Sequence, residues 1–299
     1  MAFKILICDK IADEGIKLLE EKGYEVTKAW DTPRDELPKI VGEYDALVVR
    51  SATQVKGDLI VNAKNLKVVG RAGIGLDNID LEKAEEMGIT VVNTPQASAT
   101  SVAELAIGHL LALTRGIVKG TVTLHEGKWA KKELEGVEVH GKTLGLIGYG
   151  NIAKIVEKLA LALDMKVIVV RSRVYDRFVS LKEMLPKADF ISIHVPLTPQ
   201  TRHMLSKREF NMMKDGVMII DCSRGGVVDQ EALYQALVSG KVKAVATDVF
   251  EEEPPGKLKL LTLENVHATP HIGAQTREAQ LRAGVQVAER VIEELEKLK

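Results

Sequence analysis

The sequence is short of cysteine, of net charge and of long apolar runs, and each shortage narrows what the chain can be. Its two cysteines, Cys8 and Cys222, fall in separate strand-like runs without metal-ligand spacing. No metal site is therefore expected, and a reducing cytoplasm is the expected compartment. Lys and Arg number 41 against 42 Asp and Glu, and the resulting net charge of -1 supplies no global field to hold nucleic acid or an anionic membrane. Any anion site must be local. No apolar run approaches the roughly 20 residues that a membrane span requires. The opening "MAFKILICDK" lacks the long apolar stretch and small-residue cleavage site of a signal peptide, and reads better as a first strand. There is no internal repeat, low-complexity tract or long Pro/Gly linker.

What the chain does have is 299 residues with 45% hydrophobic content, enough for a buried core and, at this length, for two medium domains. β-Branched runs alternate with longer amphipathic stretches: "FKILIC", "ALVVR", "LKVVGRA" and "ITVVN", then "TLGLIGYG", "KVIVV", "FISIHV", "VMIIDCS", "AVATDV" and "VHATPH". Strands alternating with helices imply an α/β fold, with parallel sheets covered on both faces. A long helical pattern from Ser101 through "VAELAIGHLLALTRGIVKGTVTLHEGKW" separates the first set of strands, ending near Thr94, from the second, starting at Thr143. Two sheets are expected. The terminal "TREAQLRAGVQVAERVIEELEKLK" is helical with a charged outer face, and its pattern does not say which sheet it covers.

"TLGLIGYGNIAKIVEKLALAL" runs strand, glycine turn, helix, the context that makes a glycine pattern a dinucleotide site. Gly148 makes the turn, Gly150 lets a pyrophosphate approach the helix N-terminus, and Ala153 stands at the third glycine position, where a small side chain still permits close helix–strand packing. About 20 residues on, the fingerprint places an acid that bonds the adenosine ribose. Here the strand "KVIVV" is followed by Arg171, Ser172 and Arg173. A guanidinium cannot accept the ribose hydroxyl protons but pairs readily with a 2′-phosphate, which points to NADP. Two other readings stay open: a solvated strand end, and a carboxylate supplied by Asp176.

Three further segments follow strands of the same sheet. "IIDCSRGGVVDQEAL" puts Arg224 at a strand end, where open parallel sheets bind ligands, and its planar fork suits a 2-oxo or 2-hydroxy carboxylate. "TDVFEEEPP" offers Glu251, Glu252 and Glu253, and "HATPHIGAQT" offers His271. Imidazole can move a hydroxyl proton near neutral pH, with a neighbouring carboxylate to orient it. Singly, each is as readily a surface ion pair, an acidic face or a loop histidine.

Taken together, "GYGNIA", "HVPLTPQTRHML", "SRGGVVDQEAL", "DVFEEEPP" and "PHIGAQT" closely resemble the D-isomer-specific 2-hydroxyacid dehydrogenases, over nearly the whole chain. "VRSATQV", "GRAGIGLDNID", "VVNTP" and "HEGKW" look most like the phosphoglycerate dehydrogenase branch. The resemblance implies a flavodoxin-like substrate domain over 1–98 and 275–299, a Rossmann NAD(P) domain over 99–274, and an active cleft between them that closes for hydride transfer. It implies a catalytic triad of Arg224, Glu253 and His271, with Glu253 chosen because the family's acid directly precedes the proline. Its cofactor contacts carry over to Asn151 and Ile152 at the pyrophosphate, Val195 and Pro196 beside the adenosine, and Cys222, Ser223, Asp248 and Gly273 around the nicotinamide. Substrate contacts carry over to Arg50 and Ser51 and to the backbone near Ile74 and Gly75, with Lys131 and Lys132 as candidates for a substrate phosphate or as plain solvated charge. A homodimer is implied, built by the helical arm near Ser101 to Trp129.

The chain departs from the family in two ways that coincide. Arg171 replaces the usual aspartate, and the segment from Arg171 to Ser180 is short for the family. NADP-preferring glyoxylate and hydroxypyruvate reductases of the same family carry a similar basic pattern, so D-3-phosphoglycerate oxidation and reduction of those smaller 2-oxo acids are both expected readings. A nucleotide-sensing corepressor on the same fold is the reading from outside enzymes. The chain stops soon after the helix at Arg290, so the regulatory domains of longer phosphoglycerate dehydrogenases, and serine feedback, are not expected.

Overall fold

Runs such as "ALVV" and "VMII" have no polar face to offer water, and they become inner strands of parallel sheets, buried from both sides. In the computed structural model, which describes residues 2–171 and 178–299, the chain forms two compact units, Met1–Ala99 with Ala274–Lys299 and Thr100–Gly273.

The first unit carries strands β1 (Lys4–Ile7), β2 (Glu25–Lys28), β3 (Ala46–Val49), β4 (Val68–Arg71) and β5 (Thr90–Asn93), all parallel, in the order β2-β1-β3-β4-β5. This is the flavodoxin-like order. Side chains alternate between the faces: Ile5 and Ile7 enter one core cluster, Leu6 and Cys8 the other. The first cluster is closed by α1 (Asp13–Glu21), which contributes Ile16 and Leu19, and by the terminal helix Arg277–Glu296, which contributes Ala283, Val287, Ala288, Val291 and Leu295 at helical spacing. The terminal helix therefore belongs to the first sheet, a placement its own pattern left open. Each fully buried aliphatic side chain contributes roughly 1.5–3 kcal/mol.

The second unit holds β6 (Thr143–Ile147), β7 (Lys166–Val170), β8 (Phe178–Val179), β9 (Phe190–Ile193), β10 (Val217–Asp221), β11 (Val242–Thr247) and β12 (Val266–Ala268). They pair in parallel in the order β12-β11-β10-β9-β6-β7-β8, a Rossmann sheet with one extra strand. The order reverses between β6 and β9, and ligands of open parallel sheets bind at such a switch point. Val217 and Ile219 of β10 face one core cluster, Met218 and Ile220 the other. The helical arm is two helices, α2 (Ala99–Arg115) and α3 (Ile117–His125), bent by 64° where Gly116 takes a left-handed φ of 62°. Among the described residues no single helix is long and apolar enough to cross a membrane.

Ten strand-like runs are legible in the sequence; β2 and β8 are not among them. β2 is an edge strand whose "EVTK" is mostly exposed, so it carries no apolar run, and β8 is only two residues long.

Candidate active site

The phosphate loop stands where β6 ends. Gly148 holds φ at 92°, and a Cβ there would strike the His194 carbonyl and Val195. Only glycine fits that turn. Gly150 precedes α4 (Asn151–Ala162), and a Cβ at Gly150 would point into open space that any larger side chain would begin to fill. No side chain caps α4, so the first amides, from Asn151 and Ile152 onward, keep their donors for an anion. Ala153 is fully buried against the sheet, as the third position of the fingerprint requires. The residues present thus fit a dinucleotide pyrophosphate.

At the end of β7, the exposed Arg171 places its guanidinium 5.6 Å from the Phe178 ring centroid. Phe178 in turn packs on Tyr149 of the glycine loop at 5.2 Å. Ser172, Arg173 and Asp176 lie outside the described residues. Val195 and Pro196 follow β9, and the Pro196 carbonyl is fixed by the Thr201 hydroxyl at 2.6 Å.

His271 and Glu253 meet. Nδ1 of His271 lies 2.7 Å from Glu253 Oε2, and Glu253 Oε1 accepts the Phe250 amide at 3.2 Å. Burial pushes the Glu253 carboxyl up, but His271, the Phe250 amide and Arg224 outweigh it and hold it below the ordinary carboxylate range. As an ionised acceptor it fixes the imidazole with its proton on Nδ1, which leaves Nε2 as the atom free to exchange a proton. His271 sits at a left-handed φ of 51°, costly for a non-glycine residue unless its surroundings hold it there.

Asp248, 1% exposed, provides that hold. Its Oδ1 accepts the Ile272 amide at 2.8 Å and the Thr269 hydroxyl at 2.6 Å, while Oδ2 accepts the Gly273 amide at 2.8 Å. Thr269 also meets Nε2 of His109, on α2, at 3.2 Å. Since the Thr269 proton goes to Asp248, His109 is the donor in that pair. Burial pulls the His109 imidazole below its ordinary value. Neither Thr269 nor His109 carries a sequence signal for this role: each reads as an ordinary strand or helix residue until the fold brings it under the His271 loop.

Arg224 follows β10. Its Nη1 donates to the Ser223 carbonyl at 2.7 Å, and Ser223 folds back on Asp221. Gly225 has to be glycine, because a Cβ there would overlap the Phe250 carbonyl. That contact brings the Arg224 loop against the loop of Glu253. Cys222, directly after β10, is buried in a core cluster, and burial, with Asp248 and Asp221, pushes its thiol well up, so it is no thiolate nucleophile.

In the first unit, Arg50 and Ser51 follow β3, and Ile74 and Gly75 follow β4. The 50–53 loop is held from both sides. Asp9 accepts the amides of Arg50 (2.6 Å) and Thr53 (3.1 Å), and the Asn78 amide group donates to the carbonyls of Arg50 and Thr53. The Ile74 carbonyl is taken by Asn93 at 2.7 Å. Lys131 and Lys132 lie exposed on a short 3₁₀ turn.

A parallel sheet with a phosphate loop at its switch point and a histidine–carboxylate pair beyond neighbouring strand ends defines the class of nicotinamide-dependent dehydrogenases. Comparison with known proteins narrows it. Residues 107–273 match the family described as D-isomer specific 2-hydroxyacid dehydrogenase, NAD binding domain. The chain is 51% identical over 306 residues to the hydroxypyruvate reductase of Thermotoga maritima, covering 98% of each. It is 48% identical over 297 residues to the D-3-phosphoglycerate dehydrogenase of Methanocaldococcus jannaschii, covering 96% of this chain and 56% of that protein. The chain thus spans little more than half the length of that second relative. Among solved structures, a glyoxylate reductase from Paecilomyes thermophila superposes with a TM-score of 0.92 at 29% identity, covering 100% of this chain and 97% of that one. The chain belongs to the D-isomer specific 2-hydroxyacid dehydrogenases.

Proposed function

We propose that the chain oxidises D-3-phosphoglycerate at C2, with Arg224, Glu253 and His271 as its catalytic residues. The observation that carries the catalytic reading is the 2.7 Å contact of His271 Nδ1 with Glu253, which leaves Nε2 as the proton-exchanging atom. In oxidation, His271 Nε2 accepts the C2 hydroxyl proton; in reduction it returns that proton to the carbonyl oxygen. Glu253 holds the ring in the required tautomer and balances the charge that forms on it. Arg224 receives the substrate carboxylate and polarises the carbonyl, so that developing negative charge meets a cation already in place. A nicotinamide bound at the phosphate loop supplies the hydride acceptor or donor. Gly148, Gly150, Asn151 and Ile152 are assigned to its pyrophosphate, Val195 and Pro196 to its adenosine, and Cys222, Ser223, Asp248 and Gly273 to its nicotinamide end. Arg50, Ser51 and the backbone at Ile74 and Gly75 are assigned to the substrate.

A second substrate reading is favoured by specific observations. Arg171 stands where a carboxylate would bond the NAD ribose, and the Thermotoga maritima relative, matched over 98% of both chains, is named for hydroxypyruvate reduction. Under this reading the chain reduces hydroxypyruvate or glyoxylate with NADPH, and Arg171 pairs with the 2′-phosphate. The cytoplasm is the proposed compartment, and a homodimer the proposed assembly. The dimer is supported by exposed Ile117, Val118, Val122 and Leu124 on α3 and by Trp129, 82% exposed, just beyond it.

His271→Ala tests the catalytic reading. Turnover of every D-2-hydroxy acid should fall at least a hundredfold while the cofactor dissociation constant stays within twofold; retained turnover would remove His271 from the chemistry.

A further inference from the structure

Asp221 ends β10 with its carboxylate folded back over the following turn. Its Oδ1 accepts both the Ser223 amide (3.0 Å) and the Ser223 hydroxyl (2.6 Å). The Ser223 carbonyl in turn accepts Nη1 of Arg224 at 2.7 Å, and the Asp221 carbonyl accepts the Asp248 amide at 2.8 Å. A chain of hydrogen bonds thus runs from a carboxylate 5% exposed to the guanidinium that the proposed mechanism uses.

We propose that Asp221 is a positioning residue for Arg224, setting the turn through Ser223 and thereby the direction in which the guanidinium meets the substrate carboxylate. The inference rests on the reading of Arg224 given above. An arginine side chain is long and has many rotamers, so a fork aimed at one carboxylate must be held by something other than its own stem. Asp221 is also expensive to keep. A carboxylate this buried is tolerated only when its hydrogen bonds are made, and Oδ1 accepts two from Ser223. Around it, Asp248 faces it from the end of β11, Arg224 from its own loop, Thr247 stands opposite on β11, and Ile193 stands opposite on β9. Burial, opposed by the Ser223 bonds, raised further by Asp248 and lowered by Arg224, leaves the Asp221 carboxyl pushed up to about 6. Protonation below that pH turns charge-assisted bonds to Ser223 into weaker neutral ones.

Steady-state reduction separates this role from a merely structural one. In this direction His271 serves as the proton donor, a role that acid does not oppose, so the acid limb is left to Asp221. The probe is whichever of hydroxypyruvate and glyoxylate the wild type reduces faster, since neither carries a phosphate that titrates near pH 6. In Asp221→Ala, KM for that acid should rise at least tenfold with the cofactor dissociation constant within twofold. Asp221→Asn keeps an oxygen for Ser223, so its KM should return to within threefold of wild type, and the acid limb of kcat/KM near pH 6 should vanish. An unchanged KM in Asp221→Ala, or an acid limb that persists in Asp221→Asn, overturns the proposal; if the alanine variant does not fold, the asparagine profile decides alone. Arg224→Gln is measured alongside. A raised KM there with none in Asp221→Ala refutes only the positioning role, whereas an unchanged KM in Arg224→Gln removes the reading of Arg224 and the proposal with it.

Discussion

His271 Nδ1 and Glu253 Oε2 lie 2.7 Å apart, although their residues are contributed by loops beyond two different strands of the second sheet. Replacing Glu253 with Gln keeps an oxygen near the ring but removes the charge that fixes the tautomer. We expect kcat to fall about a hundredfold, with the cofactor dissociation constant unchanged in a fluorescence titration. Because the folded Glu253 carboxyl is held low, its contribution is present above the ordinary carboxylate range and is lost only as pH falls through the lowered folded value. Wild-type activity lost to Glu253 protonation should therefore appear only below the ordinary carboxylate range.

Asp221 has the opposite sign. Its folded carboxyl, at about 6, binds a proton more tightly than its ordinary value of 3.8, so the native state takes up a proton that the unfolded chain lacks between those values. Stability from this residue is then greatest below about pH 4 and declines as pH rises through 6, by at most about 3 kcal/mol. Asp221→Asn should melt higher than wild type at pH 8, and the two should converge by pH 4. Melting curves at the two pH values check this, and a lower melting temperature for the variant at pH 8 would contradict it.

Arg171 faces outward at the end of β7, with its guanidinium over Phe178. If it pairs with a 2′-phosphate, Arg171→Asp should weaken NADPH at least tenfold and leave NADH unchanged or tighter, read as dissociation constants at fixed salt. Equal effects on the two cofactors would make Arg171 a surface residue and favour phosphoglycerate oxidation with NAD.

The apolar residues of the arm predict the assembly. Val122→Glu with Trp129→Ser places charge and polarity on a surface otherwise rich in exposed aliphatic side chains. Sedimentation should show a dimer for the wild type and a monomer for the double variant, with the melting temperature little changed at matched monomer.

Much of this was legible because it is local. Strand, glycine turn and helix are contiguous in "TLGLIGYGNIA", and fully buried runs such as "ALVV" announce inner strands by composition alone. β2 escaped notice because an edge strand need not be apolar. The braces behind the His271 loop escaped for a different reason. His109 reaches Thr269 across 160 residues and Asp248 reaches Gly273 across 25, and no periodicity records such a pairing.

By itself, then, the sequence determined the two parallel sheets, the dinucleotide loop and the residue types able to bind a carboxylate and move a proton. Backbone periodicity and turn chemistry act over a few residues and leave their trace in order. Only the tertiary structure brought Glu253, which the family resemblance singles out among three adjacent glutamates, onto His271, laid the terminal helix over the first sheet, and set buried Asp221 and Asp248 under the loops of Arg224 and His271. Those outcomes depend on distances between strand ends and on desolvation, which exist only once the sheet has folded.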